Sequence, residues 1–266
     1  MYYSLISSMS KGLSDAEKFI LAAGITDATQ QTAINSLVVS LKSYGIWTKM
    51  KALYPMVGGT AASHKFNLKD PRDLDAAYRL TFSGGWTHSS TGALPNGTNG
   101  YANTFLIPST ALITSEGSLG FYSRTNNVAG VNMSEMGAIT TSPQPEVYFQ
   151  IHARLLNNAW YCLPNTLSAG LAATTSDSSG FYQGIRLSPT SVRQIRNSTV
   201  VDYTQSYAVP NSNVLIGART KNGSTPDLYS NRECALAYIG NSLTTTEASN
   251  FYTAVQAYQT SLSRQV

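Results

Sequence analysis

The sequence predicts a mainly β protein, a β-sandwich preceded by helices and closed by one more helix. Apolar residues recur with the 3.6-residue period of a helix only near the two ends of the chain. Between about Phe66 and Ile239 they fall into short runs broken by turn signals, the pattern of a sandwich. Asn96-Gly97, Asn99-Gly100 and Asn222-Gly223 are turn dipeptides, because both residue types adopt positive φ at low cost.

Ser14 followed by Glu17 has capping-box spacing and opens a short helix through Phe19, Ile20 and Ala23 to Gly24. Asp27 and Gln30 repeat the signature, and Ile34, Leu37, Val38, Leu41 and Tyr44 form one stripe on a second helix closed by Gly45. Ile46 to Tyr54 reads as a third helical turn stopped by Pro55 and Gly58-Gly59. Asp70 to Ala77 reads as a turn of helix with an acidic first turn. The candidate strands are Tyr78–Phe82, Tyr101–Ile107, Leu119–Arg124, Val147–Leu155, Ala159–Leu163, Phe181–Leu187, Ser191–Arg196, Val214–Arg219 and Cys234–Ile239, with Pro143 and Pro145 marking the approach to the fourth. In that strand Val147, Phe149, Ile151, Ala153 and Leu155 alternate with Tyr148, Gln150, His152 and Arg154, which turns His152 toward water. Thr244 and Glu247 cap a last helix striped by Phe251, Val255, Tyr258 and Leu262. The expected organisation is a helical segment, 1–60, followed by the sandwich and its closing helix, 61–266.

Charge is scarce. The 266 residues include 18 basic and 14 acidic side chains, a net +4, and charged residues make up 12% against roughly 25% in an ordinary domain. Ser, Thr and Asn number 33, 28 and 18, while 42% hydrophobic residues supply a core. No Lys/Arg run exists to track a phosphate backbone, which argues against nucleic acid. No stretch approaches the roughly 20 apolar residues of a membrane span, and Met1 to Gly12 lacks a basic, then apolar, leader pattern. Cys162 and Cys234 read as small core residues. There is no internal repeat.

The titratable groups give little chemistry. His64, His88 and His152 lack ligand spacing, so no metal and no cofactor is expected. Asp73 and Asp75 have the two-residue spacing of paired glycosidase carboxylates but read better as helix-start acids, and Gly-x-Ser-x-Gly is absent. Gly130 and Gly137 read as loops. The segment Thr81 to Asn103 places Trp86 and His88 among hydroxyls and amides, the groups with which proteins hold sugars; the alternative is a rigid strand connection anchored by Trp86. Tyr148, His152, Tyr182 and Arg186, on candidate outward faces, would extend a recognition surface. Sequons beginning at Asn96, Asn132, Asn197 and Asn222 are expected by chance in so Asn-rich a chain.

Several separated blocks resemble proteins of tailed bacteriophages: Phe19 to Asp27, Lys49 to Pro55 with Val57 to Thr60, Phe66 to Asp73, the Trp86 to Asn103 loop, and the tail from Tyr229 through Phe251 to Val266. The resemblance implies a concanavalin A-like, laminin G-like jelly roll carried on the outer surface of the virion as a fibre, decoration or other accessory component. It implies a non-enzymatic protein, since the paired acids of the hydrolase branch are missing. Its partners would be other virion proteins and further copies of itself, a trimer for example, with Ile34, Leu37, Val38 and Leu41 as the attachment stripe. The alternative is a lectin-like adhesin for host-surface glycans, using Trp86, His88, Tyr148 and His152; a glycan depolymerase is a third reading.

Overall fold

The computed structural model describes residues 12–113, 115–127, 130–142, 145–167, 172–223 and 225–266. The expectations for Met1 to Lys11 and Pro143 lie outside these residues. The local helix signals fold as read. Ser14 accepts from the Glu17 amide while Glu17 accepts from the Ser14 amide, starting α1 (Asp15–Ala22). Asp27 accepts from the Gln30 amide and starts α2 (Ala28–Ser43), and Lys42 ties α2 to Asp15 at 2.8 Å. Gly24 and Gly45, at φ 64° and 73°, turn the chain where a side chain would be strained.

Ile46 to Tyr54 departs from the expected helix. A single 3₁₀ turn, Trp47–Lys49, runs straight into strand β1 (Met50–Tyr54). Its apolar residues suit a helix by spacing, but Met50 and Leu53 face one core while Ala52 and Tyr54 face another. Only an extended segment between two cores satisfies both, and Pro55 favours extension of the residue before it.

Sheet I runs in the order β13 (Thr199–Thr204), β12 (Ser191–Arg196), β11 (Gly180–Arg186), β6 (Ser118–Ser123), β17 (Cys234–Gly240), β4 (Gly92–Pro95) and β3 (Trp86–Ser89), with β1 also pairing β17. Sheet II runs β10 (Ala173–Thr174), β9 (Ala159–Leu167), β8 (Val147–His152), β7 (Met136–Thr140), β14 (Leu215–Ile216), β5 (Tyr101–Asn103) and β2 (Thr81–Ser83). Its β7 also pairs in parallel with β15 (Arg219–Lys221), which forms a hairpin with β16 (Thr225–Asp227). Apart from that one pairing, the ladders among the described residues are antiparallel.

The result is three layers. After two single helical turns, α3 (Ala61–His64) and α4 (Pro108–Ala111), the closing helix α5 (Thr245–Ser261), started by the Thr244/Glu247 capping box, packs with α1 and α2 onto the outer face of sheet I. Phe251, Val255 and Tyr258 meet Tyr122, Phe181, Leu236 and Tyr238 there. The other face of sheet I, carrying Leu119, Phe121, Tyr182 and Ile239, packs on Phe149, Ile151, Trp160 and Ile216 of sheet II. Burial on both faces explains why Tyr182 and Arg186 do not point to water as expected. Tyr182 sits in the inter-sheet core, and the Arg186 guanidinium donates to the carbonyls of Pro164, Pro189 and Gln205 at 3.1, 3.2 and 2.8 Å.

The stripe read as an attachment surface is likewise internal. Ile34, Leu37, Val38 and Leu41 are 0–3% exposed, covered by α5 and sheet I of the same chain. Nor does residue 60 separate two units, because β1 is a strand of the sandwich itself. Asp70 to Ala77 forms one 3₁₀ turn, Asp75–Ala77, and its acids are engaged by bases: Asp73 by Lys65 and Arg79, Asp75 by Arg79. Among the described residues no helix is long and apolar enough to cross a membrane.

Candidate functional site

Trp86 and His88 lie on β3, whose hairpin with β4 the sequence did not reveal. The indole N–H of Trp86 donates to the carbonyls of Ser83 and Tyr101 at 3.1 and 3.2 Å, and its ring packs edge-on to Phe82 and against Gly217. His88 stacks beside Trp86, and its Nδ1 lies 2.9 Å from Nδ1 of His64. Asn96 Oδ1 accepts from the amides of Thr98, Asn99 and Gly100, fixing the turn. The polar atom of Trp86 is thus already engaged by the chain's own backbone.

Tyr148 and His152 come together elsewhere, on the outer face of sheet II. Alternation along β8 sends Phe149 and Ile151 into the inter-sheet core and Tyr148, Gln150 and His152 to the opposite side. With Tyr161 and Leu163 of β9, Arg219 of β15, and Asn132, Leu155 and Leu228 from flanking segments, they line a depression of about 260 Å³. Neither Trp86 nor His88 takes part. The outward direction was therefore read correctly, but the expected hydration was not. Tyr148, Gln150 and His152 are 8%, 2% and 6% exposed, because they form the floor beneath the β15–β16 hairpin and the segment at Asn132–Met133. Gly137, in strand β7 rather than a loop, makes room for this floor, since a Cβ there would stand 2.3 Å from Gln150 Cβ.

The hydrogen bonds fix the chemical character of each wall. His152 Nδ1 is 2.6 Å from the Met133 carbonyl, which can only accept, so Nδ1 carries the proton. Burial lowers the His152 pKa, keeping the ring neutral with Nε2 as an acceptor. The Tyr148 hydroxyl donates to Glu146, and burial together with that carboxylate raises its pKa to about 12. Arg219 holds Asp227 through two bonds, Nε to Oδ1 at 2.7 Å and Nη2 to Oδ2 at 3.2 Å, and Nη1 donates to Gln150 Oε1 at 3.2 Å. Asn132 Oδ1 accepts from the Leu156 amide.

A buried ion pair supports the wall from behind. Glu135 and Arg232, both fully buried, meet at 2.6 Å. Glu135 also accepts from the Ala153 amide and Ser230 hydroxyl, while its backbone carbonyl accepts from Gly217. These bonds lock the segment that presents the Met133 carbonyl to His152. Nothing in the sequence singled out Glu135, Arg232, Tyr161 or Arg219. The Asn222-Gly223 turn was the available signal for Arg219, because it makes Arg219 and Asp227 cross-strand partners.

A larger groove of about 540 Å³ runs between α2 and α5. Alanines, serines and threonines line most of it, and the hydroxyl of its Tyr258 donates to the Pro55 carbonyl at 2.9 Å. Among the described residues no three His, Cys, Asp or Glu side chains cluster as a metal site.

No family model and no curated protein matches this chain. Its similarity to solved structures is one of fold. A mutant of Trypanosoma rangeli sialidase displaying trans-sialidase activity aligns at TM-score 0.54 and 8% identity, over 86% of this chain and 39% of that one. The receptor binding domain of botulinum neurotoxin D aligns at 0.46 and 7%, over 78% and 53%. Domain 4 of AbnA, an extracellular arabinanase from Geobacillus stearothermophilus, aligns at 0.41 and 11%, over 76% and 98%. This chain thus spans well under two thirds of the sialidase and of the neurotoxin structure. The fold is a mainly β, concanavalin A-like jelly-roll sandwich with helices at its amino-terminal side and a closing carboxy-terminal helix.

Proposed function

We propose that this chain is a non-catalytic saccharide-binding protein carried on the outer surface of a tailed-phage particle, and that the depression on sheet II is its binding site. One observation carries the binding role: two tyrosine rings and leucine side chains converge there with an amide, a neutral imidazole and a second amide. The C–H face of a sugar packs on aromatic rings, while its hydroxyls both donate and accept. At about 260 Å³ the site is just below the roughly 300–1,000 Å³ of pockets for drug-sized ligands, which suits one sugar residue.

The phage placement is supported by the separated sequence blocks that resemble phage proteins, from Phe19 to Asp27 through the carboxy-terminal tail. Contacts with other virion proteins and self-association, as a trimer for instance, belong to the same reading. With Ile34, Leu37, Val38 and Leu41 buried, those contacts use other surfaces.

Two measurements test it. Wild-type protein on a glycan array is expected to retain a defined set of saccharides, with the signal lost in Tyr161→Ala and Gln150→Ala variants that melt like wild type. A silent array overturns the binding role. Quantitative mass spectrometry of gradient-purified particles is expected to find the chain at fixed stoichiometry to the major capsid protein, and its absence overturns the virion placement.

A further inference from the structure

We propose, building on that reading, that the depression is selective for neutral saccharides and discriminates against sugars bearing a carboxylate. The determinant is the pairing of Arg219 with Asp227.

Among the described residues lining the depression, Arg219 is the one cation, and a solitary guanidinium in such a place would be an anion trap. Here its fork is filled. Nε and Nη2 grip both oxygens of Asp227 on the neighbouring strand, a geometry set by the direct cross-strand pairing of the two residues. Its Nη1 is turned onto Gln150 Oε1. An incoming carboxylate would have to displace Asp227 and leave that acid facing the ligand.

The remaining groups point the same way. His152 has its proton on Nδ1, committed to Met133, so the ring nitrogen left for a ligand is Nε2, a lone pair that accepts from a hydroxyl and repels an anion. Glu146 adds a second negative charge beside Tyr148. Gln150 has its Oε1 bound to Arg219 and Asn132 has its Oδ1 bound to the Leu156 amide, so each has its amide N–H groups left to donate. Amide donors, one imidazole acceptor and the Tyr161 hydroxyl match hydroxyls, which act as both donor and acceptor, and supply no uncompensated charge.

The test is titration calorimetry at pH 7 with methyl glycosides of glucose, galactose and mannose, and with glucuronic acid and N-acetylneuraminic acid as their methyl glycosides. At least one neutral glycoside is expected to bind tenfold or more tightly than either acid, with an affinity unchanged between 50 and 500 mM NaCl, since no net charge is recognised. Asp227→Asn, which leaves Arg219 uncompensated, is expected to raise the acid-to-neutral affinity ratio at least tenfold. Acidic glycosides that bind wild type as tightly as neutral ones, and lose binding in Tyr161→Ala, overturn the selectivity while the site stands. Saccharide binding untouched by Tyr161→Ala overturns the site itself. The comparison of acidic with neutral glycosides is read on wild type alone, so it decides the charge question even where the Asp227 variant folds poorly.

Discussion

Acidification is expected to destabilise the protein through His64, in a direction and size that the structure fixes. His64 is 1% exposed, its Nδ1 faces Nδ1 of His88 at 2.9 Å, and its Nε2 is buried with no hydrogen-bond partner among the described residues. One proton lies between the two Nδ1 atoms; a second would set two N–H groups against each other. Burial first, then the fields of His88 and Arg264, lower its pKa from 6.5 to about 3. Below pH 6.5 the unfolded chain therefore takes up a proton that the folded chain refuses, so stability falls as pH drops from 6.5 toward 3. At pH 4.5, two pH units below the unfolded value, the loss is about 2–3 kcal/mol from this residue, at about 1.36 kcal/mol per unit. His88 and His152 are shifted the same way and add to it. Urea unfolding followed by tryptophan fluorescence at pH 7.0 and 4.5 measures it, on wild type and on His64→Met, which fills the space without titrating. The wild type is expected to lose about 2–3 kcal/mol more than the variant between the two pH values. Equal losses in both proteins would refute the reasoning, because the remaining histidines are common to both.

Two further outcomes follow from buried groups. Arg232→Met leaves the Glu135 carboxylate uncompensated at full burial and is expected to cost about 3–5 kcal/mol by urea unfolding, partly recovered when Glu135 is replaced by Leu in the same chain; a cost below about 1 kcal/mol in the single variant would contradict the pairing. Cys162 and Cys234 are fully buried, which pushes both thiols well above their ordinary value, so Ellman's reagent is expected to label neither in native protein and both in urea.

The parts of the fold legible in the sequence are those decided locally. The three capping boxes or caps at Ser14, Asp27 and Thr244 start helices where they were read, since the bonds involved span three residues. Strands β6, β11, β12 and β17 match their apolar runs within a residue at each end. Non-local packing decided the rest. The residues Met50, Leu53 and Tyr54 fit a helical spacing, and only the presence of a core on each side makes them a strand. Strands β3, β4 and β7 are glycine-containing or polar; β4 and β7 are held by partners distant in sequence, β17 for the one and β14 and β15 for the other, and β3 by its hairpin with β4. The same distinction runs through the candidate site. The β8 alternation identified Tyr148 and His152 as outward-facing, but their burial depends on the parallel pairing of β15 with β7, some 80 residues away along the chain.

That pairing also explains why recognition would belong to sheet II. Helices α1, α2 and α5 take up the outer face of sheet I over β6, β11 and β17, so the side chains there are committed to a core on each side, and even Tyr122, Tyr182, Tyr238 and Arg186 are internal. Among the described residues sheet II carries no such helical layer. Its outer face is covered locally by a two-stranded hairpin and the Asn132–Met133 segment, which leave a bounded hollow over a floor of alternate β8 residues. A bare sheet face would offer a flat, fully hydrated surface and a fully covered one would offer none. The hairpin produces the intermediate case, and because it supplies Arg219 together with the Asp227 that neutralises it, the element that shapes the hollow also sets its charge.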